Sequence, residues 1–480
     1  MRRLFAWTAA TLLLCTPVAS PAQNARATLD DAAKAMSGVE VKSLEWSGSG
    51  VFFAPGQSYT PGQPWPRFIA KSQTRSVNYE TASLRDDVVR MQGENPPRGG
   101  GVQPVRGEVR QQFVLSGDLA WTVVADAPAP TPIALTERQM QLWTTPHGVL
   151  RAALANGATV QGRIITFALP GRMMVRATLS DQNLVERVDA VIPNAVIGDL
   201  PVEITYTDYR DFGGVKFPTR IRQSAGGFPT LDLTVTDVKA NAPVEIQVPD
   251  PVRQATGVYS RVATQMVADG VWFVAGGSHN SVVIEMKDHL VVVEGPLNEE
   301  RAVAVMAEAR SLAPGKPIKY VVASHHHFDH SGGLRAFAAE GVTVVTHDSS
   351  RAFLEQALGA PATIQPDRMA KSGRKPVVEG VRDKRVMTDG TRTVEILHIA
   401  GNAHCEGLLM VYLPKEKLLS EADVFTPPPA GTTPPMPPSP FTVNLIDNLK
   451  QLNLTVDRIL PLHGRVVPVA DLHTMVGHGH

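Results

Sequence analysis

A chain of 480 residues is longer than one hydrophobic core usually organises, so two domains of roughly 200 residues each are expected. Lys plus Arg and Asp plus Glu both number 46, with no long run of one sign, which argues against nucleic acid and anionic membrane surfaces as general partners. An apolar fraction of 43% with scattered Gly and Pro argues against a disordered chain.

The chain opens with Met1-Arg2-Arg3 and a short apolar stretch from Leu4 to Leu14. That charged start, together with the small residues Ser20 and Ala22, predicts a secretory signal peptide over residues 1–22. The stretch is too short to span a bilayer and is followed by Pro17 and Pro21; no later segment approaches the roughly 18 consecutive apolar residues of a spanning helix. The expected location is periplasmic or secreted, without stable membrane insertion. Leu14 stands where lipidation of Cys15 would need a small residue, so a lipid anchor is not expected. Removal of the leader leaves Cys405 alone, and the mature chain can form no internal disulfide.

Residues 23–250 read as a mainly antiparallel β domain. A short helical stretch near Leu29–Met36 comes first, then a loop rich in Gly and Pro from Asn95 to Pro104 and one helix over about Thr136–Asn156. Segments at Val160–Phe167, Arg172–Leu179, Leu184–Ile192, Val202–Asp208, Val215–Arg222 and Thr230–Val238 alternate apolar and polar residues between Pro, Gly and Asn turns, the rhythm of an antiparallel sheet. The segments Asp208–Pro218 and Val235–Asn241 resemble the curved half-barrels of periplasmic lipoprotein carriers in strand and turn rhythm. Two roles stay open for this part: an accessory unit that shapes the mouth of a catalytic domain, or a site for an apolar ligand.

Pro243, Pro249 and Pro251 mark the boundary, and residues 251–480 carry an α/β layered pattern. Val271–Val274, Ser281–Met286 and His289–Val293 read as strands, and Glu299–Arg310 as a helix. Strand and helix then alternate through Tyr320–Val322, Leu334–Phe337, Val342–Thr346 and Ser350–Leu358.

The run His325-His326-His327-Phe328-Asp329-His330 follows the apolar strand Ile318–Ala323 and precedes Ser331-Gly332-Gly333. In an extended turn the alternate side chains of His325 and His327 converge on one ion, leaving Asp329 and His330 to face a second. Imidazole and carboxylate suit Zn²⁺ and also Fe or Mn. This run resembles the signature of the metallo-β-lactamase superfamily, and the resemblance extends over roughly residues 255–470. It implies an αββα sandwich and a site for two Zn²⁺ ions, with Fe or Mn as alternatives. His325, His327 and His404 would hold the first ion and Asp329, His330 and His463 the second, with Asp423 bridging. The two ions would acidify a bridging water for attack on a small-molecule substrate, with Asp329 orienting that water and relaying its proton.

Glu294 stands where many family members have Asp, and Ala422 where glycine usually precedes the bridging Asp. His326 is expected to point away from the ions, His398 to serve packing or a supporting hydrogen bond, and His279, His289 and His347 to be structural or on the surface. His473, His478 and His480 fall in or near a Gly-His tail. Cys405, beside His404, is not expected to ligate. Eight prolines between Phe425 and Phe441 form a stiff loop expected along the rim of the cleft. The reaction stays open: hydrolysis of an ester, lactone or thioester, a β-lactamase, iron-dependent sulfur or redox chemistry, or binding of an apolar molecule with a subsidiary metal domain. RNA processing fits poorly with export and neutral charge.

Overall fold

The structure is a computed structural model and describes residues 21–429 and 431–477. The expected leader up to Ser20, and with it the expected export, lies outside the described residues, as do His478 and His480. No helix among the described residues is long and apolar enough to cross a membrane.

The first structural unit is a 13-stranded antiparallel sheet built from two meanders. They join where its first strand, Ser43–Phe53, pairs with its last, Phe228–Ala240, so the sheet begins and ends at its own centre. Alternation dictates its faces. Along Met173–Leu179 every second residue is buried, and Val202, Ile204 and Tyr206 do the same on Gly198–Asp211. The buried face carries helices rather than solvent: Leu29, Ala32 and Met36 of Pro21–Met36, with Met140, Leu142, Val149 and Leu150, share one core with the sheet.

One expected helix over Thr136–Asn156 is two, Leu135–Trp143 and Pro146–Ala155. Pro146 has no N–H to continue a helix and pushes Thr145 out of helical geometry, to φ −57° and ψ 153°. Thr145 then caps the second helix, its Oγ1 accepting from the N–H of Gly148 at 3.2 Å. These helices fill the concave face. Between them and Trp46, Tyr206 and Ile221 the remaining cavity is about 20 Å³, room for a water and not for an apolar ligand. Where the helices cover the sheet, the space is filled by the chain's own side chains.

The C-terminal half is a sandwich of two sheets. The seven-stranded one starts antiparallel and turns parallel from Leu290–Val293 onward, through Ile318–Val322, Thr343–His347 and Val378–Val381. Leu290–Val293 is buried throughout, as a strand covered on both faces must be. The six-stranded sheet runs from Lys384–Thr388 to Val467–Pro468. Val282, Ile284 and Val322 of one sheet meet Ile396, Val411 and Leu460 of the other in the middle layer. Helices Glu299–Leu312 and Leu334–Ala339 cover one outer face, and Pro440–Gln451 covers the other. This is the expected αββα layering. Backbone bonds from Asn280 to Leu462, from Leu462 to Glu421 and from Leu409 to Ser324 tie the strand ends together at one edge.

Candidate metal centre

Strand Ile318–Val322 delivers the histidine run to that edge. His327 is still extended, with φ −58° and ψ 145°, and the short helix Phe328–Ser331 begins directly after it. The extended turn sends His325 and His327 to one side, with ring centroids 4.3 Å apart, while the helical turn sends Asp329 and His330 to the other.

Three later strand ends supply the rest. His404 enters from the loop before Leu409–Leu413, its N–H bound to Asn402 Oδ1 at 3.0 Å. Asp423 follows Leu418–Glu421 and His463 follows Arg458–Pro461. Asp423 has φ +64° and Glu294 φ +74°, a left-handed backbone that L side chains rarely adopt; it turns both acids into the site instead of letting the strands run on.

All seven sequence-predicted ligands come together here. His325, His327, His404 and Asp423 form one group of donor atoms mutually within 4.8 Å, and Asp329, His330 and His463 another with His279. Asp423 reaches both: its Oδ2 lies 3.1 Å from His325 Nε2, 3.0 Å from His404 Nε2 and 2.9 Å from His330 Nε2, and its Oδ1 lies 2.8 Å from His463 Nε2. Imidazole nitrogens also face each other, His325 with His404 at 3.3 Å and His330 with His463 at 3.1 Å. Such spacings suit an N–H···N pair, and they also suit ligands on a tetrahedral ion about 2.1 Å away, which stand roughly 3.4 Å apart.

The donor set also passes a second test of fit. Metal-binding imidazoles normally engage their other nitrogen with a fixed partner. Here His325 Nδ1 meets Ser324 Oγ at 2.9 Å, His330 Nδ1 meets Glu294 Oε2 at 3.2 Å, and His463 Nδ1 donates to the Ser278 carbonyl at 2.7 Å. His327 Nε2 donates to the Ser58 carbonyl at 2.9 Å, leaving its buried Nδ1 without a partner. An orphaned buried nitrogen is costly unless something not yet counted takes it, and a cation beside Asp423 would do so.

Electrostatics follow from this crowding. Burial pushes His325 down to about 3, assisted by the charge of His330. Against the cost of burial, Asp423 and Asp329 raise His330 well above the imidazole range, and His330 in turn holds both carboxyls well below theirs. Glu421, behind Asp423, is raised to about 8 by burial and by the Asp423 charge. The site is thus a compact anionic pair of carboxylates set among imidazoles, the electrostatics of a cation site.

Three expectations need correction or completion. His279, expected to be structural or on the surface, is 8% exposed and joins the second group, its Nε2 3.2 Å from Asp329 Oδ2. The glycines before it make a turn at the end of Val271–Ala275, and nothing local in the sequence says where that turn points. Glu294, which stands where many family members have Asp, binds His330 and both the N–H and the hydroxyl of Ser324. Cys405 Sγ lies 3.5 Å from His326 Nδ1 and groups with His326 and His327 rather than with Asp423, and burial pushes its thiol up to about 12.

Of the other histidines, His473, read as part of a Gly-His tail, lies in the helix Val469–Met475, and His326 forms a third group of possible donors with His327 and Cys405. His326 packs its ring edge 5.8 Å from Phe353 and meets Ser58 Oγ at 3.1 Å. His398 stacks on His347 at 4.2 Å, away from the donors, and His347 caps the helix Asp348–Leu358. The proline-rich loop begins against the turn after His463, where Pro427 touches the space beside Gly464.

The N-terminal half also reaches this centre, through residues that no motif marks. Gln57 Nε2 donates to Asp329 Oδ1 at 2.7 Å. Gln57 Oε1 accepts from the N–H of Gly101 at 2.9 Å, and the N–H of Gly99 reaches the Ala403 carbonyl at 2.9 Å. The loop around Asn95–Pro104 therefore lies against His327 and His404, and its glycines are what allow the approach.

The charge that Glu294 places behind His330 leads to an expectation. Glu294→Gln keeps shape but removes that charge, and metal affinity should fall roughly 10- to 100-fold in a competition titration with a chelator. Unchanged affinity would show that Glu294 serves packing alone.

Residues 274–467 match the family model described as the metallo-beta-lactamase superfamily, and the C-terminal half is metallo-β-lactamase-like. A curated relative, the 2,4-dinitroanisole O-demethylase subunit alpha of Nocardioides sp. (strain JS1661), is 24% identical over 176 residues. That match covers 36% of this chain and 49% of the relative, so it spans about half of the relative's length. Among solved structures, a metallo-beta-lactamase from Pontibacter korlensis is 19% identical, with a TM-score of 0.36 over 45% of this chain and 98% of that one. One from Hirschia baltica is also 19% identical, with a TM-score of 0.35 over 45% and 97%.

Proposed function

We propose that this chain is an exported, metal-dependent hydrolase that cleaves an ester, lactone or thioester of a small molecule. The observation that carries the proposal is Asp423, one carboxylate that reaches both histidine groups at 2.8 to 3.1 Å, its Oδ2 meeting His325, His404 and His330 and its Oδ1 meeting His463. His325, His327 and His404 would hold one ion and Asp329, His330 and His463 a second, with Asp423 shared between them. Zn²⁺ suits the donor set, with Fe or Mn as the alternatives. When bound, such ions supply Lewis acidity that activates water and polarises a carbonyl oxygen.

The chain's own residues do the remaining work. Asp329, kept ionised by its imidazole neighbours, orients the attacking water and accepts its proton. Gln57 at one oxygen and His279 at the other fix the plane of that carboxylate. Export rests on the leader read over residues 1–22.

The test is hydrolysis of an ester, lactone and thioester panel by metal-quantified protein. Asp329→Asn should lower turnover by about 10²- to 10⁴-fold, the range of a positioned acid–base group. Unchanged turnover in that variant overturns the assignment. One second reading has an observation behind it. The curated relative is named for O-demethylation of 2,4-dinitroanisole, an aryl ether, so that compound belongs in the panel. Stoichiometric iron in the purified protein would instead favour redox chemistry.

A further inference from the structure

We infer that the cavity at the junction of the N-terminal sheet and the sandwich is a binding site for a neutral, largely apolar small molecule, separate from the metal positions but sharing a wall with them. Its volume is about 420 Å³, within the usual range for small-molecule sites. It is far roomier than the 20 Å³ left inside the sheet itself.

Aromatic rings line it from both halves of the chain: Trp65 and Phe228 from one, Phe328 and Phe353 from the other. Trp65 and Phe228 are tilted with centroids 5.6 Å apart. Phe228, Phe328 and Phe353 are each only partly buried, although closer packing would cover them. Uncovered rings facing a common space are what an apolar ligand completes.

The polar lining is sparse and uncharged. Ser58, Gln63, Gln356 and His326 offer hydroxyl, amide and imidazole groups, and no Asp, Glu, Lys or Arg lines the cavity. A charged ligand would lose its hydration there without gaining a counter-charge. A neutral ligand with one polar group would keep that group hydrogen-bonded.

The wall toward the metal centre is tightly constructed. Gly56, at φ +74°, lies so close to Phe328 that a Cβ there would stand 2.2 Å from the ring. The Ser58 hydroxyl meets His326 at 3.1 Å while its carbonyl accepts from His327 at 2.9 Å. A molecule resting on Ser58 and Phe328 therefore touches the residues that seat His327 and Asp329.

The experiment is a fluorescence titration of the full metal-loaded protein with N-phenyl-1-naphthylamine, a neutral probe that brightens in apolar surroundings. Saturable binding at one probe per chain is expected, with energy transfer from Trp65. Ala357→Phe, which places a ring in the cavity, should weaken binding about tenfold while circular dichroism and metal content stay unchanged. Trp65→Phe should retain binding and lower the energy transfer. The anionic 8-anilinonaphthalene-1-sulfonate should bind about tenfold more weakly than the neutral probe.

Absent or non-saturating binding overturns the inference, as does full affinity in a folded Ala357→Phe protein. If that variant fails to fold, undiminished transfer in Trp65→Phe overturns it instead. Equal affinity for the anionic probe overturns the neutral-ligand assignment. The inference does not rest on hydrolysis: a protein inert toward every ester would still bind the probe.

Discussion

Asp423→Ala should strip both metal positions and lower kcat/KM by about 10³-fold or more, the several kcal/mol that metal ions lend to a developing oxyanion. Asp423 is the carboxylate in contact with His325, His330, His404 and His463 together. Its removal leaves pairs of imidazole nitrogens facing each other at 3.1 and 3.3 Å with no anion between them. Each ion would lose a ligand, and two cations in close proximity would lose the negative charge that offsets their repulsion. The backbone adds to the effect, since φ +64° at this position is harder for Ala to hold than for Asp.

Asp423→Asn separates these contributions, because an amide keeps the shape and the backbone preference but cannot serve as an anionic bridge. It should fall in the same direction by a similar factor. The checks are metal content by mass spectrometry, kcat/KM, and the thermal midpoint with and without added Zn²⁺. Binding to the folded state alone raises the midpoint by mass action, and that rise should disappear in both variants. Wild-type metal content together with wild-type turnover would remove Asp423 from the site and the dinuclear reading with it.

How much of this was legible in the sequence depends on how local each feature is. His325, His327, Asp329 and His330 sit within one turn after one strand, so their spacing alone fixes which way each points. Asp423 and His463 each follow an apolar strand, His404 precedes one, and a family resemblance supplies the order. His279 has no such local frame: its partner Asp329 lies 50 residues on, and only the folded sandwich brings them to 3.2 Å. Gln57 is 272 residues from Asp329, and a glutamine between a glycine and a serine carries no sign of metal chemistry.

The N-terminal sheet shows the same contrast. Alternation reveals the strands, but the pairing of Ser43–Phe53 with Phe228–Ala240 closes a loop of nearly the whole unit, and no local signal marks it. The filled concave face follows from the helices around Pro146, whose apolar residues read equally well as packing on any surface. Pro146 itself was a legible break, overridden because the apolar spacing continues on both sides of it.

Gly100→Ala should cut kcat/KM by about 10²-fold while leaving the overall fold intact, which would make the N-terminal half a working wall of the metal centre. A Cβ at residue 100 would stand 1.9 Å from Gln57 Oε1 and 2.9 Å from both Cε1 and Nδ1 of His327. Neither neighbour can yield cheaply. Gln57 is held at both ends of its amide, by Asp329 and by Gly101, and His327 is held by the Ser58 carbonyl. Relief therefore requires the loop to lift, breaking the Gly99 to Ala403 bond, or Gln57 to release Asp329. Either movement shifts a ligand or the water-orienting carboxylate by a fraction of an ångström to an ångström, the scale on which positioned catalysis is lost. Gly38→Ala is the matched control, since nothing lies within 4 Å of a Cβ there. If the shift reaches Asp329, the metal position it shares with His330 and His463 loses affinity; if it reaches His327, the position shared with His325 and His404 does. Wild-type kcat/KM and wild-type metal affinity in Gly100→Ala would mean that the loop stands away from the centre in solution, and the N-terminal half would then be a neighbour of the metal site and no part of it.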